Sequence, residues 1–517
     1  MKNVYLLFFL FLVSISLQAQ FKPVFDKKIS INQNISFGRQ MSINEINRYS
    51  DLVPNPNKTS FQDINNTPVT DTMKYNMYGD LRNDNPLYNE KSSPWMVAFR
   101  VTMSNISTFL IDRYIFNYEF SRVGFNSIKH NIKTGWEWDK DRFGMNYFFH
   151  PFSGAMYFNA ARANGYSYFE SIPFTFLGSL EWEYFGENTL PSYNDAINTP
   201  INGIFLGEIF YRLGSNILDD QTTGMERFFR ELAVGIMTPT RFFSRLLQGK
   251  LTRLTPEEVY QKEPLNITLA AGYHRVNEGK IIGKGGTNSV NFNLHLDYGN
   301  PFEKRSRKPF DYFKLRTDLD FGVGRKIIDN ITGYGMLFGG NVQTGNLEML
   351  AGLFQHMDFF DNKTFELGTI AFGPGIISKL PISKTSNLFT NLNVAIVPFG
   401  GLSGRFGPDT TQIRDYNYSG GAEAKIESTL NLGGWTSLTF VGYYWWLSTY
   451  IGNAGNNYIA LIKPNIAFRL FDNLSIGFEH LIYYSDRYPR DFPSVHSVRT
   501  EQKIFVQIFL EEFKFKK

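Results

Sequence analysis

Apolar and polar residues alternate along the second half of the chain, from about Asn266 onward. Residues 313–323 show the pattern. The apolar positions are Phe313, Leu315, Leu319, Phe321 and Val323, and the charged positions between them are Lys314, Arg316, Asp318 and Asp320. Successive side chains of a β-strand point to opposite faces, so a period of two predicts a strand with one apolar face and one wet face. We therefore expect the second half of the chain to be built from β-strands.

About twelve such runs follow one another, separated by turns rich in Gly, Asn, Asp and Pro. Many reach about 10 residues, the length of a membrane-crossing strand, whereas strands of soluble proteins average about 5 to 6. The predicted fold class is α+β: a helical unit followed by an antiparallel transmembrane β-barrel of about 12 strands, apolar outside and polar inside. The alternative is a soluble sandwich, whose apolar faces point inward. Strand length and aromatic clusters near strand ends favour the barrel; the clusters are Tyr443, Tyr444, Trp445 and Trp446, and Tyr483, Tyr484 and Tyr488.

A helical period occupies the middle of the chain. The predicted helices cover residues 152–165, 167–185, 201–217 and 224–247, with Thr199 and Pro200 as the start signal of the third and a break at Pro239 in the fourth. Gly203 and Gly207, one helical turn apart, allow a neighbouring helix to approach closely. Residues 95–118 fit either a helix or a strand.

The N-terminus is typical of a secretory signal. Lys2 precedes an apolar run from Val4 to Val13, and Ala19 is a small residue suited to cleavage before Gln20. The predicted organisation is a signal peptide at residues 1–19, a polar and largely irregular segment at 20–90, a helical domain at 91–260 and an outer-membrane β-barrel at 261–517. The predicted location is the cell outer membrane. The final strand departs from the usual aromatic ending of such barrels, because Lys516 and Lys517 follow Phe515.

Composition excludes several classes of chemistry. The chain has no cysteine, so it uses no disulfide, no thiolate nucleophile and no Cys-ligated metal. Its formal net charge of +4 is small for 517 residues and forms no basic cluster, so no nucleic-acid partner is expected. Motifs for zinc peptidases, serine hydrolases, P-loop nucleotide binding and di-iron bundles are also missing from the sequence. No cofactor and no metal are predicted.

An ordered series of motifs runs through the first half of the chain. It includes Gly79-Asp80, Trp138-Asp139, Asn146, His150-Pro151, Trp182-Glu183-Tyr184, Asn194-Asp195, Gly207-Glu208 and Tyr211-Arg212. Over residues 78–249 this series resembles an uncharacterised family of Gram-negative outer-membrane proteins, a domain of unknown function. The resemblance implies a location and an architecture, and it carries over no catalytic residue.

Charged residues lie among aromatics within this segment. The candidate catalytic residues are His150, Glu181, Glu183, Glu187, Asp195, Glu208 and Arg212. A carboxylate near a histidine can act as a general base. The competing interpretation, which we favour, is that these residues cap helices and tie loops together, with Asn194 and Asp195 bonding backbone groups of a loop.

Two functional hypotheses follow. The first is a non-enzymatic outer-membrane β-barrel protein with a periplasmic or lumenal helical domain. Its role would be envelope organisation, or the binding or passage of a small or lipidic ligand. Its partners would be outer-membrane lipid and that ligand. The second is an envelope lipid- or glycan-modifying enzyme with its site in the helical domain.

Overall fold

The computed structural model describes residues 84–512, apart from gaps at 86, 284, 324–325, 363, 365 and 404–415. The signal peptide, nearly all of the polar segment at 20–90 and the aromatic residues at 513 and 515 therefore lie outside the described residues. Within the described part, seven α-helices precede twelve strands. The helices are α1 (Pro94–Tyr114), α2 (Phe125–Thr134), α3 (His150–Arg162), α4 (Tyr168–Glu181), α5 (Tyr193–Ile217), α6 (Gly224–Met237) and α7 (Pro239–Leu247). Single π-helical turns, Met145–Phe149 and Trp182–Gly186, precede α3 and follow α4.

Local sequence explains most of the helix boundaries. The Ser167 hydroxyl accepts a hydrogen bond from the Glu170 amide, and the Glu170 carboxylate accepts one from the Ser167 amide, so a reciprocal capping box begins α4. Pro239 separates α6 from α7 as predicted. The predicted start of the third helix at residue 201 is wrong, because α5 begins at Tyr193 and continues through Pro200. Buried polar contacts made by its first two turns hold the helix together despite the missing proline N–H.

The twelve strands form a closed antiparallel barrel in which each strand pairs with its neighbours in the chain and β1 pairs with β12. The strands are β1 (Leu265–Val276), β2 (Thr287–Tyr298), β3 (Phe313–Phe321), β4 (Ile328–Thr344), β5 (Leu347–Asp361), β6 (Glu366–Pro381), β7 (Asn387–Ser403), β8 (Tyr416–Leu432), β9 (Thr436–Ile451), β10 (Gly455–Arg469), β11 (Leu474–Pro489) and β12 (Val495–Leu510). Closure leaves no free sheet edge. The predicted helical unit followed by an antiparallel barrel of about 12 strands is therefore confirmed.

The barrel has two ends. At the first, which we call the terminal end, β1 begins and β12 stops, and Ile267 pairs with Leu510 near it. The opposite end, the loop end, carries the β1–β2 and β7–β8 connections.

Charged side chains fill the interior of the barrel. Lys314 of β3 lies 3.3 Å from Glu427 of β8, and Lys503 of β12 lies 3.0 Å from Asp318 of β3. Neither pair belongs to neighbouring strands, so the side chains can meet only through the lumen. Strand residues alternate, so the other set of positions on these strands points outward. The predicted arrangement, polar inside and apolar outside, is present.

The helices pack against the outer face of the barrel wall. Phe205 of α5 lies over Gly333 and Leu315, two outward positions, because a Cβ atom on Gly333 would stand 3.1 Å from the Phe205 ring and 3.4 Å from Leu315. The outward amide of Gln355 donates a hydrogen bond of 3.0 Å to the carbonyl of Ile201 on the same helix.

The expectation of a lumenal helical unit is therefore wrong, whereas a periplasmic position of the helices stays a prediction. Alternation shows which face of a strand is apolar, but it does not show what covers that face. Phe313, Leu315 and Leu319 point outward as predicted, yet all three are buried.

Helix α5 follows the wall from one end of the barrel to the other. Near its start, Asn198 donates to the carbonyl of Asn146, whose own side chain reaches Tyr418 at the loop end of β8. Near its end, Asn216 donates a hydrogen bond of 2.9 Å to the carbonyl of Glu263, just before β1 at the terminal end. Its 25 residues correspond to about 37 Å. No helix among the described residues has the length and apolarity needed to cross a membrane on its own.

Candidate acid–base site

Three of the seven candidate residues lie together at the start of α5. The His150 ring nitrogen Nε2 is 3.9 Å from Asp195 Oδ1. The Glu183 carboxylate accepts a 2.7 Å hydrogen bond from the amide of Ser192, and the Ser192 hydroxyl in turn accepts one from the amide of Asp195. All of these side chains are buried. The start of α5 therefore collects two carboxyl groups and one imidazole away from water.

Asp139 completes this cluster, and we did not select it as a candidate from the sequence. Its carboxylate accepts hydrogen bonds of 2.9 Å from the side-chain amides of Asn146 and Asn194. The Asn194 side-chain oxygen accepts a further bond of 3.1 Å from the Asp139 amide. The Asp139 and Asp195 carboxyl groups are also near enough that each shifts the pKa of the other. A carboxyl pair of this kind can hold one shared proton.

The pKa values of the Asp139 and Asp195 carboxyl groups are shifted in opposite directions. Burial raises the pKa of Asp195 well above its ordinary value, and the neighbouring Asp139 charge raises it further. Burial would also raise the pKa of Asp139, but the neighbouring Asp195 and the hydrogen bonds from Asn146 and Asn194 outweigh burial and hold it below the ordinary value. Burial and the Glu187 charge likewise raise the pKa of Glu183 well above its usual range. Asp195 is therefore the more readily protonated of the two carboxyl groups and Asp139 the more readily ionised, a difference that acid–base chemistry can use.

Aromatic rings connect this cluster to the loop end of the barrel. The Trp138 ring lies 5.0 Å from the Tyr418 ring and 5.6 Å from the Tyr193 ring, measured between centroids. It also packs against Phe399 and Tyr450 on the outward face of the wall. The cluster therefore lies outside the barrel, at the rim of the loop end.

Glu208 and Arg212 belong to a separate network. Glu208 accepts hydrogen bonds from the Arg162 guanidinium at 2.8 and 3.0 Å and from Arg212 at 2.8 Å. Arg212 also reaches Asp311 at 3.3 Å, which ties α5 to the β2–β3 connection. Each ion is fully paired and buried, so this group holds the helical layer onto the barrel.

Glu181 and Glu187 make local structural contacts. Glu181 accepts hydrogen bonds from Thr102 at 2.9 Å and Asn105 at 3.2 Å, and so ties α4 to α1. Glu187 accepts bonds from the Trp182 indole at 2.5 Å and the Thr189 hydroxyl at 2.9 Å. Both carboxylates therefore close the end of α4 and lie outside the acid–base cluster.

The sequence contained a signal for the missed residues. Asp139, Asn146 and Asn194 all belong to the ordered motif series, but Asp139 and Asn194 are 55 positions apart. Only the fold brings them into contact. The interpretation of Asn194 and Asp195 as loop residues is also wrong, since both lie in the first turn of α5. Among the described residues, no group of three or more His, Cys, Asp or Glu side chains could hold a metal ion.

Residues 135–240 match a family described as "Domain of unknown function (DUF3943)". This segment is about a fifth of the chain and contains the acid–base cluster together with α3, α4, α5 and α6. The resemblance inferred from the motif series is thereby confirmed over a shorter range than residues 78–249. No curated protein matches the chain.

Several solved structures of outer-membrane channels are similar to the barrel half of the chain. The NanC porin shares 10% identity at a TM-score of 0.25, covering 47% of this chain and 98% of its own. An outer membrane channel from Pseudomonas putida F1 shares 7% identity at a TM-score of 0.28, covering 48% and 96%. The TodX monoaromatic hydrocarbon channel shares 9% at a TM-score of 0.22, covering 49% and 91%.

Proposed function

We propose that the protein is an outer-membrane β-barrel of a Gram-negative envelope that binds a lipidic ligand beside its wall and does not conduct solutes through its lumen. The observation that carries the proposal is the apolar outer face of the barrel set against its charged interior. On β7 the outward residues Val394 and Ile396 are 54% and 69% exposed, while the inward Asn393 is buried. In water this arrangement would be unfavourable at every strand, because exposed apolar area lowers stability. In a bilayer it is the expected arrangement.

The filled lumen argues against passage of a solute. Lys425 of β8 lies 2.8 Å from Asp358 of β5, and the Trp445 indole of β9 donates a 3.0 Å hydrogen bond to the same carboxylate. Trp445 is completely buried in an apolar cluster with residues of β5, β6 and β7, including Phe360 and Leu367. Large porins instead leave an aqueous channel through the barrel. A ligand is therefore expected at the outer wall, where the aromatic and acidic side chains of the loop end meet.

The test combines location with conductance. We expect the protein in outer-membrane fractions, with heat-modifiable migration on gels. Purified protein in planar bilayers should give no steady porin-like conductance. Recovery as a freely soluble periplasmic protein would overturn the membrane assignment. Large stable conductance from the unmodified protein would overturn the closed lumen and leave the location intact.

A second candidate function is favoured by the neighbouring Asp139 and Asp195 carboxyl groups, whose pKa values are shifted in opposite directions. Glycosidases place their two carboxyl groups about 5 to 9.5 Å apart, on either side of the scissile bond. Two neighbouring carboxyl groups, one protonated and one ionised, instead suit activation of a water molecule for attack on a carbonyl. Asp139 would take a proton from water, the resulting hydroxide would add to the carbonyl carbon, and Asp195 would give its proton to the carbonyl oxygen. As this adduct collapses, the carbonyl would re-form and the acyl C–O bond would break, Asp139 giving its proton to the leaving alcohol oxygen and Asp195 taking back the proton from the carbonyl oxygen. The enzymatic alternative is therefore an acyl hydrolase of envelope lipid.

Lipid analysis separates these two functions. Lipids of a deletion strain are compared with those of strains that carry the parent gene, Asp195→Asn or Glu181→Gln as the matched control. An acyl hydrolase requires Asp195→Asn to reproduce the lipid change of the deletion while folded protein stays at the parent level, and Glu181→Gln to leave the lipids unchanged. Unchanged lipid acylation in both substituted strains supports the non-enzymatic function.

A further inference from the structure

Helices α6 and α7 have their polarity reversed relative to helices of soluble proteins. The large side chains that they expose are all apolar: Met225, Phe228, Phe229, Leu232, Phe243, Leu246 and Leu247. Their arginines point into the protein instead, and Arg227, Arg230, Arg241 and Arg245 are each buried to more than nine-tenths. A surface helix of a soluble protein buries its apolar stripe and exposes its charges. From this reversal we infer that the outer surface of the helical layer, formed by α1, α4, α6 and α7, contacts the acyl chains of the membrane.

The buried charges are arranged for a surrounding without water. Arg245 lies 2.6 Å from Glu231 and 2.9 Å from Asp220, and Arg227 lies 2.9 Å from each of the same two carboxylates. Arg230 pairs with Glu226 at 2.7 Å. In water, buried ions and exposed apolar side chains are both unfavourable. If hydrocarbon surrounds the helices, both become favourable. The apolar side chains then face an apolar solvent, and the charges can find partners only within the protein.

Helix α1 also exposes large apolar side chains over a longer distance, although it buries Val97 and Val101 as well. Its exposed large apolar side chains are Trp95, Met96, Phe99, Met103, Ile106, Leu110, Ile111 and Tyr114. Its buried face includes the polar Asn105, whose amide donates a 3.0 Å hydrogen bond to the carbonyl of Gly178 on α4. The 21 residues of α1 extend about 31 Å, close to the hydrocarbon thickness of about 30 Å.

Helix α4 repeats the pattern between α1 and the barrel. It exposes Phe169, Phe176 and Leu180 and buries the hydroxyl groups of Ser171, Thr175 and Ser179. Each hydroxyl donates to a main-chain carbonyl inside the helical layer. Small polar residues of this kind pack helices together in membranes.

The position of the helices leads to the same conclusion. Met357, Ile370 and Phe399 point outward from the wall, and each is at least 97% buried beneath the helical layer. At the margin of this layer, the Phe169 ring stacks on Phe338, whose centroid is 5.7 Å away and whose outward side chain is exposed. The apolar surface of the helices therefore continues into that of the wall. If the wall lies in a bilayer, a layer that follows it from end to end lies there too.

The proposal rests on the membrane assignment of the barrel, and the absence of cysteine makes a direct test practical. Single cysteines are introduced at Phe99 and Phe228 on the helices, at Val394 and Ile396 on the wall, and at Lys384 in the β6–β7 turn. The first four positions are exposed and apolar, and Lys384 is an exposed polar control. Each variant is labelled with bimane and reconstituted into phosphatidylcholine vesicles. Its fluorescence is then recorded with lipids brominated at mid-chain and with aqueous iodide.

Brominated lipid should quench the labels at Phe99 and Phe228 to within about two-fold of the labels at Val394 and Ile396, and the Lys384 label should respond only to iodide. Quenching of the wall labels alone, with helix labels open to iodide, would overturn the inference and leave the proposed function standing. Failure of brominated lipid to quench any label would overturn both. Protection of the helix labels from both quenchers would show that protein covers the helices, either a second copy or another partner, and would also overturn the inference. Heat-modifiable migration of every variant confirms that the barrel has folded.

Discussion

Gly154 of α3 and Gly203 of α5 are in direct backbone contact. A Cβ atom on Gly203 would lie 2.5 Å from the Cα atom of Gly154, and a Cβ atom on Gly154 would lie 2.0 Å from the Thr199 carbonyl oxygen. No side chain fits between these helices. The small-residue spacing seen in the sequence therefore marks the tightest contact within the helical layer.

Gly203→Ala should destabilise the protein. The added methyl group must push α3 away from α5, and overpacking of this kind costs about 1–3 kcal/mol. Urea unfolding in detergent, followed by heat-modifiable migration, measures the loss. Gly124→Ala is the matched control, because a Cβ atom there meets nothing within 4 Å. Equal stability of the two variants would show that α3 and α5 are not in contact at Gly203.

The stability of the protein should fall as pH rises above the ordinary pKa of an aspartate, 3.8, through the titration of Asp195. The folded-state pKa of Asp195 is raised above its ordinary 3.8, so the folded protein retains a proton that the unfolded chain releases. Asp195→Asn keeps the neutral form, and should remove this part of the pH dependence and stabilise the protein at pH 7. Urea midpoints recorded at several pH values provide the measurement.

Asp139→Asn should act in the opposite direction. The pKa of Asp139 is lowered in the folded state, so its contribution to stability is present above the ordinary pKa of 3.8 and is lost as pH falls through the folded value. Replacing its carboxylate removes the charge that accepts the amide protons of Asn146 and Asn194. The variant should be less stable than the parent at pH 7. Matching shifts for Asp139→Asn and Asp195→Asn would contradict the unequal charge states.

Arg245→Ala should be strongly destabilising. It leaves Asp220 and Glu231 short of a partner in the buried network, and loss of one partner of a buried pair costs about 3–5 kcal/mol. The comparison variant is Lys91→Ala, which removes an exposed pair with Glu170 and should cost at most about 1 kcal/mol. Unfolding free energies of the two variants give the comparison. A similar small effect for both would show that the Arg245 network is accessible to water.

Removing the pair between Lys314 and Glu427 should open the lumen. The pair joins β3 to β8 across the interior, so Lys314→Ala combined with Glu427→Ala takes away two long side chains without touching the wall. Planar-bilayer recordings should show new conductance relative to the parent. The control removes only the exposed charge of Lys384, in the β6–β7 turn, and should conduct like the parent. If the double variant shows no new conductance, the remaining lumenal side chains close the barrel without this pair.

The sequence predicted the barrel well because each strand can be recognised from its own alternation of apolar and polar residues. A period of two is a local property, and it assigned Lys314 and Asp318 to one face and Phe313 and Leu315 to the other. The same reasoning failed at α5. Pro200 is a strong local start signal, and it was overridden by contacts of Asn194 and Asp195 with distant parts of the chain.

The candidate site was predicted in part for the same reason. Charged residues among aromatics were recognisable in the sequence, and they included His150, Glu183 and Asp195. The role of Asp139 could not be recognised, because it depends on contacts with residues of another element. Glu208 and Arg212 carried the same local signal as Asp195, and the fold assigned them to a structural ion pair.

The sequence by itself determined the approximate number and the polarity of the strands, because the alternation of apolar and polar residues is a local property of each strand. Only the tertiary structure decided that the helices lie on the outer wall, and that their charges point in and their apolar side chains point out. The position and orientation of the helices depend on contacts between surfaces that are far apart in the sequence. A helical period predicts that a helix has an apolar and a polar face. The direction in which each face points depends on the solvent and on the elements that surround the helix.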